Sequence, residues 1–283
     1  MIRLSSNSLG HFLKCEQNYY NAYKRGKRLR EFVWPLEFGT AVHEVMGTYD
    51  YWRLGKGRPE DAVIQAVKRA DELSCEWEPW RETTVYNSWN LARIPVWYEE
   101  KFGKDNVIDL PIGYEISETG APSPSVSWIE IPFEFEYRGV MLNGRLDALV
   151  SIFGENFIVD RKSTTKDIDG NFISSFSPGV QFSFYLWIAK KIFPTMDITG
   201  LLCEAIQLQV GSVQFERFVV RRSDDELLEF EMLLNNAIDR MKYLDGQIEY
   251  NYLKNESACF MCYFKKMCAA SRPERARLWD AEI

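Results

Sequence analysis

The stretch FIVDRKST, residues 157–164, reads as a strand that ends in charge. Residues two apart on a strand share a face, so Asp160 and Lys162 point the same way with Ile158 behind them. Taken alone, D-x-K is short and common, and a plain salt bridge accounts for it. The residues before it add weight. VMLNGRLDALVSI (140–152) reads as a second strand, turned into the first by FGEN (153–156). IEIPFEFEY (129–137) is a third, alternating apolar and acidic residues as a half-exposed strand does. The three make an antiparallel meander. Asp147 lies among apolar residues of the middle strand, where an ionised carboxylate is costly without a cation or strong donors. Paired strands lie about 4.8 Å apart, so Asp147 and Asp160 can converge on one ion. Such hard oxygen ligands suit magnesium or manganese, and Lys162 beside them can stabilise charge developing on a phosphate.

Downstream, QFSFY (181–185) lies in a helical stretch over 178–193, with Gln181 and Tyr185 at i and i+4 on one face. An amide and a phenol there can hydrogen-bond phosphate. Aromatic packing explains Phe182, Phe184 and Trp187, but it does not need Gln181. Upstream, FGTAVHEVM (38–46) carries His43 on a helix that restarts near Pro35 and ends at Gly55, Gly57 and Pro59. Val42, Val45 and Met46 would suit a satisfied core histidine. As a third ligand beside Asp147 and Asp160, its imidazole would favour manganese over magnesium. His11 lacks such company and reads as structural.

The rest of the chain completes an α/β pattern. Residues 6–24 read as one helix, capped by Ser6 or Asn7. Patterns near 60–77 and 85–102 are helical and Trp-rich, and Gly, Pro and Ser over 103–127 mark a loop. GLLCEAIQLQ (200–209) and VQFERFVV (213–220) form a further strand pair, and 223–245 a capped amphipathic helix. The expectation is a mixed sheet flanked by helices.

With 283 residues and 46% apolar composition, the chain can bury one large core or two modest ones. No apolar run is long enough for a membrane span and no secretory signal is visible, so the expected location is cytoplasmic. A net charge of −7 does not suggest a nucleic-acid binder taken whole, but charge is local. YKRGKRLRE (23–31) gathers Lys24, Arg25, Lys27, Arg28 and Arg30, which in isolation read as a solvated loop. Six cysteines in a reducing compartment argue against a disulfide scaffold. Cys75 and Cys203 read as core residues. ESACFMCYFKKMCAA (256–270) spaces three cysteines as C-x2-C-x5-C, which suggests a bound metal lacking its fourth ligand.

Taken in order, G-x-x-x-H (Gly39, His43), G-x-x-D (Gly144, Asp147), D-x-K (Asp160, Lys162) and Q-x-x-x-Y (Gln181, Tyr185) resemble the motif series of the PD-(D/E)xK nucleases, in their RecB-like exonuclease branch. Each motif is weak, but the ordered set is specific. The likeness spans about residues 5–270, with the helices around 55–125 poorly matched. It implies a restriction-endonuclease-like α/β fold in which His43, Asp147 and Asp160 bind divalent ions, Lys162 assists hydrolysis, and Gln181 and Tyr185 contact the DNA backbone.

Within that branch the chain is similar to the iron–sulfur exonucleases: AddB-type nuclease domains and the small CRISPR-associated and phage enzymes. They carry one cysteine in the first helix and three near the C-terminus. This implies a 4Fe-4S cluster on Cys15, Cys259, Cys262 and Cys268, with zinc the open alternative for four cysteines. Glu16 stands where the family usually has proline, and Ser163 where it often has threonine. The implied organisation is a single nuclease domain over 1–283. Residues 1–34 and 246–283 would form the cluster subdomain, 55–125 a helical insertion, and 35–54 with 126–245 the nuclease core. The implied activity is magnesium- or manganese-dependent DNA hydrolysis, exonucleolytic, on single-stranded or end-bearing DNA. Lys24, Arg25, Lys27, Arg28 and Arg30, with Lys265 and Lys266, would line a track for the strand. Protein partners are expected in recombination, repair or CRISPR adaptation. A non-catalytic scaffold subunit of such a complex is the alternative, against which the intact ligand set argues.

Overall fold

The computed structural model describes residues 1–26, 34–54, 58–77, 82–104, 108–109, 128–176, 179–247, 252–260, 262–271 and 273–274. Lys27, Arg28 and Arg30 of the basic run lie outside them. The chain divides into two compact units: Met1–Phe32, Glu136–Leu142 and Glu229–Ile283 in the first, Val33–Phe135 and Asn143–Leu228 in the second.

The second unit is built on a mixed sheet. Strand β4 (Val140–Ile152) and β5 (Glu155–Thr164) are antiparallel, with Ala148 opposite Val159 and Ile152 opposite Glu155. Strand β6 (Ile198–Gln209) then runs parallel to β5, and β7 (Ser212–Val220) returns antiparallel. A parallel neighbour needs a crossover, which the helices α6 (Gly170–Ser174) and α7 (Val180–Ile192) provide. Every residue from Phe157 to Arg161 is buried, as in a strand covered on both faces. The short β2 (Ile108–Asp109) and β3 (Ile129–Tyr137) also pair with β4. Gly144 on β4 is required by this pairing: a Cβ there would lie 2.7 Å from the Phe133 ring.

Helices α3 (Trp34–Leu54), α4 (Pro59–Ser74) and α5 (Ser88–Phe102) belong to the same unit. Pro59 begins α4 where its missing N–H costs nothing, and the Asn87 side chain caps α5. Ala62, Ala66 and Ala70 form a fully buried stripe one helical turn apart. They share a core with Phe38, Val45 and Met46 of α3, Leu91 and Ile94 of α5, and Ile206 and Phe215 of the sheet. The 55–125 stretch therefore supplies two helices to the main core. Cys203 is buried, but Cys75, read as a core residue, is exposed, because it caps the C-terminal end of α4.

In the first unit β1 (Ile2–Leu4) runs parallel to Val140–Leu142. The single helix expected over 6–24 is broken. Helix α1 (Ser6–Lys14) ends at Cys15, whose backbone is extended at φ −167°, ψ 111°. Helix α2 (Glu16–Tyr19) follows and passes into a π-helical turn, Tyr20–Lys24. The start lies at Ser5, whose hydroxyl takes the Ser8 amide in a reciprocal capping box. Beyond the break the Gln17 amide bonds the Leu253 carbonyl, so tertiary pairing replaces a helical bond. Helix α8 (Asp224–Leu244) carries three acids in its first turn, and the Ser223 hydroxyl accepts from the Glu226 amide. The tail forms a 3-10 turn, Glu256–Cys259, and the short α9, Lys265–Ala269.

Candidate active site

The site gathers where the β4–β5 ladder ends. Beyond the pair Ala148–Val159, the Asp147 side chain takes over the role of a backbone carbonyl. Its Oδ2 accepts the Arg161 amide at 2.7 Å, and its Oδ1 lies 3.2 Å from Nδ1 of His43 on α3. Asp160 is 4% exposed, and Lys162 Nζ reaches its two oxygens at 2.8 and 3.1 Å. The alternation of a strand thus puts Asp160 and Lys162 together, as their spacing requires.

Glu130 completes the group. Ligand atoms of His43, Glu130 and Asp147 lie within 4.8 Å of one another, the one three-ligand group of His, Cys, Asp and Glu among the described residues. Asp160 is held by Lys162 instead of joining it. Glu130 sits at the start of β3 with φ +52°, a left-handed conformation costly for a residue with a Cβ. Its Oε2 accepts from Arg145 at 3.0 Å, while its Oε1 is buried without a hydrogen-bond partner. A buried carboxylate oxygen left without a donor is the feature a divalent cation satisfies, so the donor set fits such an ion. Sequence reading missed Glu130 because three acids alternate along IEIPFEFEY, and nothing local separates the one at the site from the two exposed ones.

Burial dominates the titration of every group here. It pushes Asp147 up, but the His43 hydrogen bond and charge, then the Arg161 amide, outweigh it, and Asp147 ends below the ordinary carboxylate range. Asp160 ends above that range, because burial and the Asp147 charge outweigh Lys162. Burial lowers His43 and Lys162, yet Asp147 raises the first and Asp160 the second, so both bases are held protonated beyond their usual range.

Behind the site stands a second charged layer. Arg161 points away from Asp160 and Lys162, is 3% exposed, and bonds Asp50 of α3 at 2.8 Å and Glu204 of β6 at 2.8 Å. Glu204 also accepts from Arg217 at 2.8 Å and from the Tyr98 hydroxyl. The buried Arg161 and the partly buried Arg217 thus meet two buried anions, tying the helix of His43 to the strand of Asp160. On α7, Gln181 and Tyr185 are half-buried while the positions between and just after them are buried. They therefore share the accessible face, and Tyr185 lies near enough to influence Lys162.

The PD-(D/E)XK nuclease superfamily model matches residues 3–269. The chain belongs to this superfamily. No curated protein matches it. Among solved structures it is similar to the crystal structure of SSO0001, at 12% identity and a TM-score of 0.38, with 94% of this chain and 85% of that one covered.

In this PD-(D/E)XK chain the other predicted residues lie in the first unit. Lys24 pairs with Asp245, Arg25 lies over the Tyr20 ring at 5.6 Å, and Lys265 and Lys266 are exposed on α9. All six cysteines are free. Cys15 Sγ faces the Leu253 carbonyl at 3.8 Å, and Cys259 Sγ faces that of Asn255 at 3.7 Å, whose amide in turn bonds Lys14 at 3.0 Å. Cys262 Sγ accepts from Asn18 at 3.5 Å, and Cys268 packs with Cys262 on Phe264 and Met267. The four thiols border one region without converging on a point. A tetrahedral zinc would need its sulfurs about 3.8 Å apart, from Zn–S bonds of about 2.3 Å, and no three of these meet even 4.8 Å. No helix among the described residues is long and apolar enough to cross a membrane.

Proposed function

We propose that this member of the PD-(D/E)XK superfamily is a divalent-metal-dependent deoxyribonuclease, acting as an exonuclease on single-stranded or end-bearing DNA. The observation that carries the reading is the convergence of His43, Glu130 and Asp147 beside the Asp160–Lys162 pair. His43, Asp147 and Asp160, with Glu130 added, are the residues proposed to hold magnesium or manganese. When bound, that ion acidifies a water and offsets negative charge on the scissile phosphate.

The chain's own groups supply the rest. Arg161's amide fixes Asp147, so its other oxygen stays aimed at the site. Lys162, protonated by its contact with Asp160, presents a positive charge where phosphate charge would build. Gln181 and Tyr185 offer hydrogen bonds to the backbone on either side of the scissile group. The exposed Lys265 and Lys266, near the exposed rings of Phe260 and Tyr263, suit a track that binds phosphates and stacks bases.

The proposal includes a 4Fe-4S cluster on Cys15, Cys259, Cys262 and Cys268. Four free thiols in one unit support it, and each thiolate of a cubane binds a different iron, so the sulfurs need not crowd one atom. Its place is structural: it would join the first helices to the tail. The deciding experiment is digestion of end-labelled single- and double-stranded DNA with manganese by anaerobically purified protein. Stepwise loss of nucleotides from one end is expected, and Asp160→Ala protein that degrades DNA at the parental rate would refute the site.

A further inference from the structure

A cleft of about 450 Å³ opens beside the His43–Glu130–Asp147 group, with His43 and Glu130 in its wall. Gly47, one helical turn after His43, lines it as well. A Cβ there would stand 3.1 Å from Cγ and Oε1 of Glu130, so glycine leaves the room in which that carboxylate lies. Two arginines reach the rim. Arg69 is engaged by both Glu44 and Glu72, which offset its charge. Arg145 pairs with Glu130, and its side chain is 63% exposed. Tyr51 adds a ring that is 64% exposed.

The Arg145–Glu130 pair is half in solvent, and such pairs are held weakly. Its anion is also a carboxylate of the candidate metal group. A divalent cation drawing on Glu130 weakens the hold on Arg145 and adds a like charge nearby. A guanidinium released there faces a cleft in the size range of small-ligand sites, about 300–1,000 Å³. Its fork matches the oxygens of a phosphodiester, and Tyr51 offers a face for the base.

We propose that Arg145 is a metal-gated phosphate ligand. With a divalent ion at the His43–Glu130–Asp147 group it leaves Glu130 and holds the phosphodiester of a nucleotide entering the cleft. This rests on the nuclease reading above and adds that the strand enters through this cleft, in the order metal first.

The test uses full-length Lys162→Met protein, so that DNA is not consumed, and a short fluorescein-labelled oligodeoxythymidine read by anisotropy. Manganese in place of EDTA is expected to tighten binding about tenfold with Arg145 present, and no more than about twofold in the Arg145→Gln protein. The two should bind alike in EDTA. Manganese alone, titrated calorimetrically, should bind Arg145→Gln protein at least as tightly, since Glu130 then has no competing cation. An undiminished manganese increment in Arg145→Gln, or weaker manganese binding by it, overturns the gating role while leaving the nuclease reading intact. If manganese binds both proteins but neither holds the oligonucleotide, the nuclease reading fails and the gate with it.

Discussion

Asp147 serves two partners at once: its Oδ2 takes the Arg161 amide at 2.7 Å and its Oδ1 faces His43 at 3.2 Å. One carboxylate therefore closes the end of a strand ladder and forms part of the candidate metal site. Asparagine can still accept the amide, whereas alanine leaves it without an acceptor. Asp147→Asn should lose at least a hundredfold in cleavage, by analogy with the loss of ~2.7–4 kcal/mol at other electrostatic sites, and melt close to the parent. Asp147→Ala should lose activity too and be less stable by about 1–3 kcal/mol in urea denaturation. Equal stability of the two variants would show that the Arg161 contact is dispensable.

Lys162 is expected to act in the reaction and not in metal capture. Its ammonium sits on Asp160, outside the His43–Glu130–Asp147 group. Lys162→Met should reduce single-turnover cleavage by about 10²–10³-fold while manganese still binds in calorimetry. A variant that no longer binds manganese would place Lys162 in the scaffold of the metal site.

Arg161 is the buried hinge between the two charged layers. Its partners Asp50 and Glu204 are each about 3% exposed; Glu204 keeps Arg217, but Arg161→Met takes the cation from buried Asp50 and should cost about 3–5 kcal/mol. The Arg221–Glu155 pair, with side chains 57% and 54% exposed, offers the contrast: Arg221→Ala should change stability by less than about 1 kcal/mol. Urea denaturation of both variants checks the difference.

His43 predicts a pH dependence in the metal-free protein. Burial lowers its pKa, but the Asp147 hydrogen bond and charge raise it further, and the folded value lies above the ordinary one of 6.5. A raised folded pKa means the native state binds the proton more tightly than the unfolded chain. The stabilisation from the His43–Asp147 pair is therefore complete below about pH 6.5 and is lost as pH rises through the folded value. In EDTA the thermal midpoint should fall across that window, and His43→Gln should flatten the fall. Parallel curves would remove His43 as the source.

Cys15 breaks what would otherwise be one helix, and its thiol faces the tail. The proposed cluster predicts that Cys15→Ala loses iron, solubility and activity together. A colourless variant of parental activity and stability would show that no cluster is needed for the fold.

Much of this architecture follows from local pattern. Alternation of apolar and acidic residues marks β3, and the two-residue repeat of any strand puts Asp160 and Lys162 of β5 on one face without reference to the rest of the chain. Helical spacing likewise puts Gln181 and Tyr185 together, and the order of the motifs points to the superfamily. What local pattern could not supply is which groups meet across elements. Glu130 reads as one acid among three until a left-handed residue at the start of β3 turns it into the site. Arg161 reads as the filler of D-x-K until α3 and β6 bring Asp50 and Glu204 to it. Residues 6–24 carry a continuous helical pattern, yet tertiary contacts to Leu253 favour an extended Cys15 over another helical turn. The sequence by itself determined the five long strands, the motif order and the face that carries Asp160 and Lys162, because those depend on neighbours a few positions apart; the short β1 and β2 carry no such local pattern. Only the tertiary structure brought Glu130 to the candidate site, built the buried ion layer and broke the helix at Cys15, because each depends on burial and partners distant along the chain.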